Sequence, residues 1–102
     1  MYARVTSIHL TPDQIDTSGR GMPDDVRQAL AREPGFKGAF FLLDRQSGKA
    51  MTLGLWESEE AVQASAAGHQ ARLAASQSIL GSAGSEPVIE IFEVVDEVQP
   101  QR

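Results

Sequence analysis

A chain of 102 residues makes one domain, and it can bury roughly 65% of the surface that its unfolded form exposes. Its formal net charge of −5 and nine dispersed Lys and Arg residues argue against nucleic acid and anionic membranes as partners, because both need clustered positive charge. With no cysteine in the chain, disulfides, thiolate metal sites and cysteine nucleophiles are excluded.

The N-terminal stretch MYARVTSIHL carries polar residues at alternate positions and no long apolar run. It reads as neither signal peptide nor membrane span, so a cytoplasmic protein is expected. Tyr2 to Leu10 predicts a first strand, closed by Pro12. Thr11-Pro12-Asp13 suits the start of a short helical turn, which Gly19-Arg20-Gly21 interrupts. Pro23-Asp24-Asp25 begins a helix with Val26, Ala29 and Leu30 on one side, stopped near Pro34-Gly35.

Phe36 to Leu43 predicts a second strand and Ala50 to Trp56 a third, joined across Asp44–Gly48 as a hairpin. Ser58 is placed as an N-cap, with Glu59 and Glu60 favourable to the helix dipole. The helix that follows is expected from Glu59 to about Leu80. Val62, Ala66, His69, Leu73, Ser76 and Leu80 form its stripe, and Gly68 is the expected place for a bend or split. Gly81–Ser85 reads as a loop, Val88–Val95 as a fourth strand, and the end of the chain as a polar tail.

The resulting order, β-α-β-β-α-β, is that of an α+β ferredoxin-like fold, a four-stranded antiparallel sheet with helices on one face. A single domain over residues 1–98 and a tail over 99–102 are expected. Strand two offers Ala39, Phe41 and Leu43 on one side and Phe40 and Leu42 on the other. Strand three sets Met51, Leu53 and Leu55 against Thr52 and Trp56. A sheet apolar on both faces needs a cover on each, and a homodimer through the helix-free face is the expectation.

Pro34-Gly35-Phe36-x-Gly38, Trp56-Glu57-Ser58-Glu59-Glu60 and the late Glu93-Val94-Val95 together resemble the antibiotic biosynthesis monooxygenase domain family. The similarity runs over nearly the whole chain. It implies a dimeric α+β barrel in which two ferredoxin-like subunits pack sheet against sheet. It also implies oxidation of aromatic substrates without a cofactor, in an apolar cavity that holds a ring, places a proton-handling group and excludes water. No cofactor and no metal are expected.

For such chemistry the candidates are few: one Trp, one Tyr, two His and no Asn. His9 and His69 are the candidate catalytic residues, and Trp56, Tyr2 and Arg4 the candidate substrate-binding ones. Each has a plainer role open to it. His9 shares a strand side with Val5 and Ser7 and fits a solvent-facing strand end, His69 fits a core or interface position, and Arg4 fits a surface ion pair.

The haem-degrading branch that the resemblance brings with it uses an Asn, a second Trp and an axial His. Spacing from Trp56 puts those positions near Thr6, Ser65 and Ala75, none of which matches, so haem oxygenation is not expected. Three readings remain: a cofactor-independent monooxygenase, a non-enzymatic barrel binding a small apolar or aromatic molecule, and a purely structural dimer.

Overall fold

The computed structural model describes residues 1–80 and 86–101. In chain order it contains β1 (Tyr2–His9), α1 (Pro12–Ser18), α2 (Asp24–Ala31), β2 (Phe36–Leu43), β3 (Lys49–Trp56), α3 (Glu59–Ala64), α4 (Ala66–Leu80) and β4 (Val88–Glu93). The strands form one antiparallel sheet in the order β2-β3-β1-β4. The fold is α+β and ferredoxin-like, with each helical connection divided into two pieces. Among the described residues no helix is long and apolar enough to cross a membrane.

Local chemistry sets the element ends. At the start of α1 the Thr11 hydroxyl accepts the Gln14 N–H, and the Gln14 side chain accepts the Thr11 N–H at 2.9 Å, a complete capping box. The Ser58 hydroxyl caps α3 by accepting the Ala61 N–H at 3.1 Å. In the β2–β3 turn the Asp44 carboxylate accepts the Gln46 N–H at 3.0 Å and the Ser47 N–H at 3.3 Å. These bonds, that from Gln46 first, hold Asp44 below the usual carboxylate range.

The long helix expected from Glu59 is broken at Ser65 rather than at Gly68. The Val62 carbonyl there accepts from the Ser65 hydroxyl at 2.8 Å and from the Arg4 guanidinium at 2.7 Å. Side chains thus engage the carbonyl that a continuous helix would present to the backbone N–H four residues on. β4 stops at Glu93, two residues short of the expected Val95, and the Val94 N–H still reaches the Met1 carbonyl at 2.8 Å. The loop expected over Gly81–Ser85 lies outside the described residues.

The main packed cluster lies at one end of the sheet: Leu30, Trp56 and Val62, flanked by Tyr2, Met22, Phe36 and Ala61. Leu10 and Ala50 are buried towards the other end. Phe36 meets Trp56 edge-on, centroids 5.4 Å apart. The turn before β2 is pinned to the β3–α3 junction, since the Glu57 N–H donates to the Gly35 carbonyl at 2.7 Å. Gly35 has φ +79°, and a Cβ there would fall 2.6 Å from the Ala61 Cβ, so both backbone and space require glycine.

Register divides the sheet into two faces. Arg4, Gly54 and Ala39 lie in one row, and Thr6, Thr52 and Phe41 in the next, facing the helices. The other face presents Val5, Phe40, Leu42, Leu53, Val88 and Phe92. Phe40 is 60% exposed and Val88 57%. Among the described residues that face is an apolar sheet surface without a covering layer.

Candidate functional site

The space between sheet and helices is only partly filled. Beside the core lies a cavity of ≈ 530 Å³, within the range of small-molecule pockets, about 300–1,000 Å³. Its floor comes from the helix-facing sheet rows, including Thr6, Ala39 and Gly54. Leu30 of α2, with His69 and Leu73 of α4, stands across from them, and Trp56 walls the core end. The segment between α1 and α2 contributes Arg20, Gly21 and Met22. The lining is mostly apolar.

Strand alternation turns Arg4 inward, and it is 5% exposed. Its guanidinium donates to the Val62 carbonyl and, at 2.6 Å, to the Ser65 hydroxyl, and lies 5.3 Å from the centroid of the Trp56 ring. This cation over an aromatic face joins the first strand to the helix break and to the Trp56 junction. Two residues along β1, the Thr6 hydroxyl lies 3.0 Å from His69 Nε2. Either group can donate, according to the imidazole tautomer. His69 is half-buried at the cavity wall.

Trp56 is 1% exposed, and its Nε1 has no hydrogen-bond partner among the described residues. A buried donor left unpaired costs about 1–3 kcal/mol.

Of the five sequence candidates, Arg4, Trp56 and His69 come together around the cavity. Tyr2 packs at the core end and does not line it. Its phenol is pushed above its usual value, by partial burial first and then by the Glu59, Glu93 and Glu60 carboxylates. His9 is exposed and pairs in register with Lys49 on the helix-free face, away from the cavity. Of the expected helical stripe, Val62, His69 and Leu73 face inward, whereas Ala66 is exposed. Thr6, Ser65 and Gly54 were not singled out as positive candidates. Gly54 left one readable signal, a glycine in the middle of a strand pattern.

Compared with solved structures, the chain has the fold of antibiotic biosynthesis monooxygenase-like proteins. It superposes on a monooxygenase from the ActVA-Orf6 gene of Streptomyces coelicolor, in complex with nanaomycin D, with a TM-score of 0.76 and 18% identity, covering 98% of this chain and 92% of that one. SnoaB, a cofactor-independent oxygenase from Streptomyces nogalater, gives a TM-score of 0.66 at 17% identity, with 97% of both chains covered. The heme-degrader MhuD of Mycobacterium tuberculosis, with two hemes in its active site, gives 0.65 at 22% identity over 97% of this chain and all of the other.

No family model matches the sequence. Among curated proteins, the uncharacterized protein Rv2557 of Mycobacterium tuberculosis is 40% identical over 65 residues, 64% of this chain. The chain spans 29% of that protein's length.

At the positions that the family resemblance aligns with a haem site, the chain has a threonine bonded to His69, a serine bonded to Arg4, and Ala75. The position that stands for the axial histidine is alanine, which carries no iron-ligating atom. The residues present do not fit a haem site of that kind.

Proposed function

We propose that the chain is a homodimeric, antibiotic biosynthesis monooxygenase-like protein that binds an apolar aromatic molecule between sheet and helices and oxidises it with dioxygen, without a cofactor. The observation that carries the reading is the ≈ 530 Å³ apolar cavity with a Thr6–His69 pair on its wall. Neighbours of the same fold whose names include monooxygenase and cofactor-independent oxygenase support it.

For a ring bearing an acidic C–H, such as anthrone, His69 takes the proton as the substrate becomes an oxygen-delocalised carbanion. The carbanion passes one electron to dioxygen, and the two radicals combine to a peroxide at that carbon. Protonation of the peroxide by the imidazolium and loss of water leave the quinone. Overall, one anthrone and one dioxygen give one anthraquinone and one water. Arg4 holds the Trp56 wall and the α3–α4 break in place, and the apolar lining keeps water from the carbanion. His9, on the opposite face, takes no part. A second copy covers the Phe40–Phe92 face.

The test is oxygen uptake with anthrone, read beside quenching of the single tryptophan. The expected result is quenching with uptake, with the uptake reduced by about 10²-fold or more in His69→Ala and retained in His9→Ala. Quenching without uptake supports a binding protein instead. Absence of both sinks the ligand reading and leaves a structural dimer.

A further inference from the structure

We infer that Gly54 is a specificity-determining residue: its missing side chain keeps carbon from crowding the Trp56 indole N–H, so that the cavity selects ring ligands bearing an oxygen at that edge. The inference rests on the aromatic-ligand reading and names the feature of the ligand that the site recognises.

Gly54 stands in β3, a central strand with β2 and β1 on either side. Glycine weakens a strand interior and commonly marks a close approach of ligand or backbone. Its backbone is not in the left-handed region, where Gly21, Gly35, Gly38 and Gly48 are found, so conformation does not demand glycine. What the residue provides is space. A Cβ built there would lie 3.1 Å from Trp56 Nε1 and 3.9 Å from Trp56 Cε2. Side-chain volume at this position therefore falls against the polar edge of the indole.

That edge is a nine-tenths-buried donor with no partner among the described residues. Gly54 and Trp56 both line the cavity. Register neighbours keep the floor low on one side, because Ala39 faces Gly54 across β2–β3. On the other side Arg4, opposite Gly54 on β1, holds its charge over the indole ring. A phenol, ketone or enolate oxygen seated over Gly54 accepts the stranded N–H close to a fixed cation. A hydrocarbon edge leaves that donor unpaired.

The experiment uses 1-naphthol and naphthalene, equal in ring size and differing by one oxygen. The chain has one tryptophan, so ¹⁵N-labelled protein shows one indole N–H resonance. We expect 1-naphthol to move it downfield and naphthalene not to. Gly54→Ala is expected to keep the fold, abolish the downfield move, and weaken 1-naphthol by about tenfold while changing naphthalene by less than about twofold. Equal weakening of both probes overturns the inference, because a Cβ would then only narrow the cavity. So does an unmoved indole resonance while amides of Thr6 or His69 respond to 1-naphthol, a result needing no variant. If neither probe moves any cavity resonance, the aromatic-ligand reading itself fails and the role of Gly54 falls with it.

Discussion

Arg4 shows how much one buried side chain can organise. At 5% exposure it bonds the Val62 carbonyl and the Ser65 hydroxyl and caps the face of Trp56. Hydrogen bonds to a charged donor contribute about 1.5–3 kcal/mol each. Arg4→Met is therefore expected to lower unfolding free energy by about 2–4 kcal/mol, read by urea denaturation. Arg4→Lys should recover little of it, since an ammonium lacks the planar fork and stacks poorly. Full recovery by lysine would show that charge alone matters. In the sequence Arg4 could be named as a candidate, because strand alternation allowed an inward position. Its partners at Val62 and Ser65 are some sixty residues away, and no local pattern announces them.

Among the elements, two of the three motifs that carry the family resemblance prove to be one structural unit. Pro34-Gly35-Phe36 and Trp56-Glu57-Ser58 meet through the Glu57–Gly35 hydrogen bond and the Phe36–Trp56 ring contact. Gly35→Ala forces a methyl group onto Ala61 and an L-residue into φ +79°. A loss of about 2–3 kcal/mol is expected, visible as a lower denaturation midpoint with unchanged m-value. A variant of wild-type stability would show that this turn relaxes freely.

The element order was readable because turn chemistry and capping residues are local: Ser58 with its glutamates, Thr11 with Pro12, Asp44 through Gly48. The Ser65 break was not, because its cause comes from β1. Gly68 drew attention through helix propensity, a weaker influence than a guanidinium on the neighbouring carbonyl. The cavity was equally invisible, since the alanines and threonines of its lining serve as well for close packing.

For the whole molecule, the helix-free face is the surface on which the proposed assembly rests. With Phe40 60% exposed, Leu42 47% and Phe92 49%, a second copy is the proposed cover. Light scattering coupled to size exclusion is expected to give twice the chain mass. Phe40→Lys should give a single chain mass at micromolar concentration, with little loss of monomer folding because the site is exposed. A wild-type monomer under the same conditions would remove the dimer.

The off-centre core has a consequence for motion. Leu30, Trp56 and Val62 pack at one end of the sheet, and the cavity lies beside them. Elements beside the cavity have fewer apolar partners there than those packed on Trp56, and resistance to local opening is expected to be lower. Amides of β1 and β3 nearest Trp56 are expected to exchange their hydrogens slowest, close to the global unfolding limit. Those of α1 and its link to α2 should exchange orders of magnitude faster. Uniform protection would contradict this gradient. A protein built this way has a stiff end that keeps its shape and a more compliant flank beside the cavity.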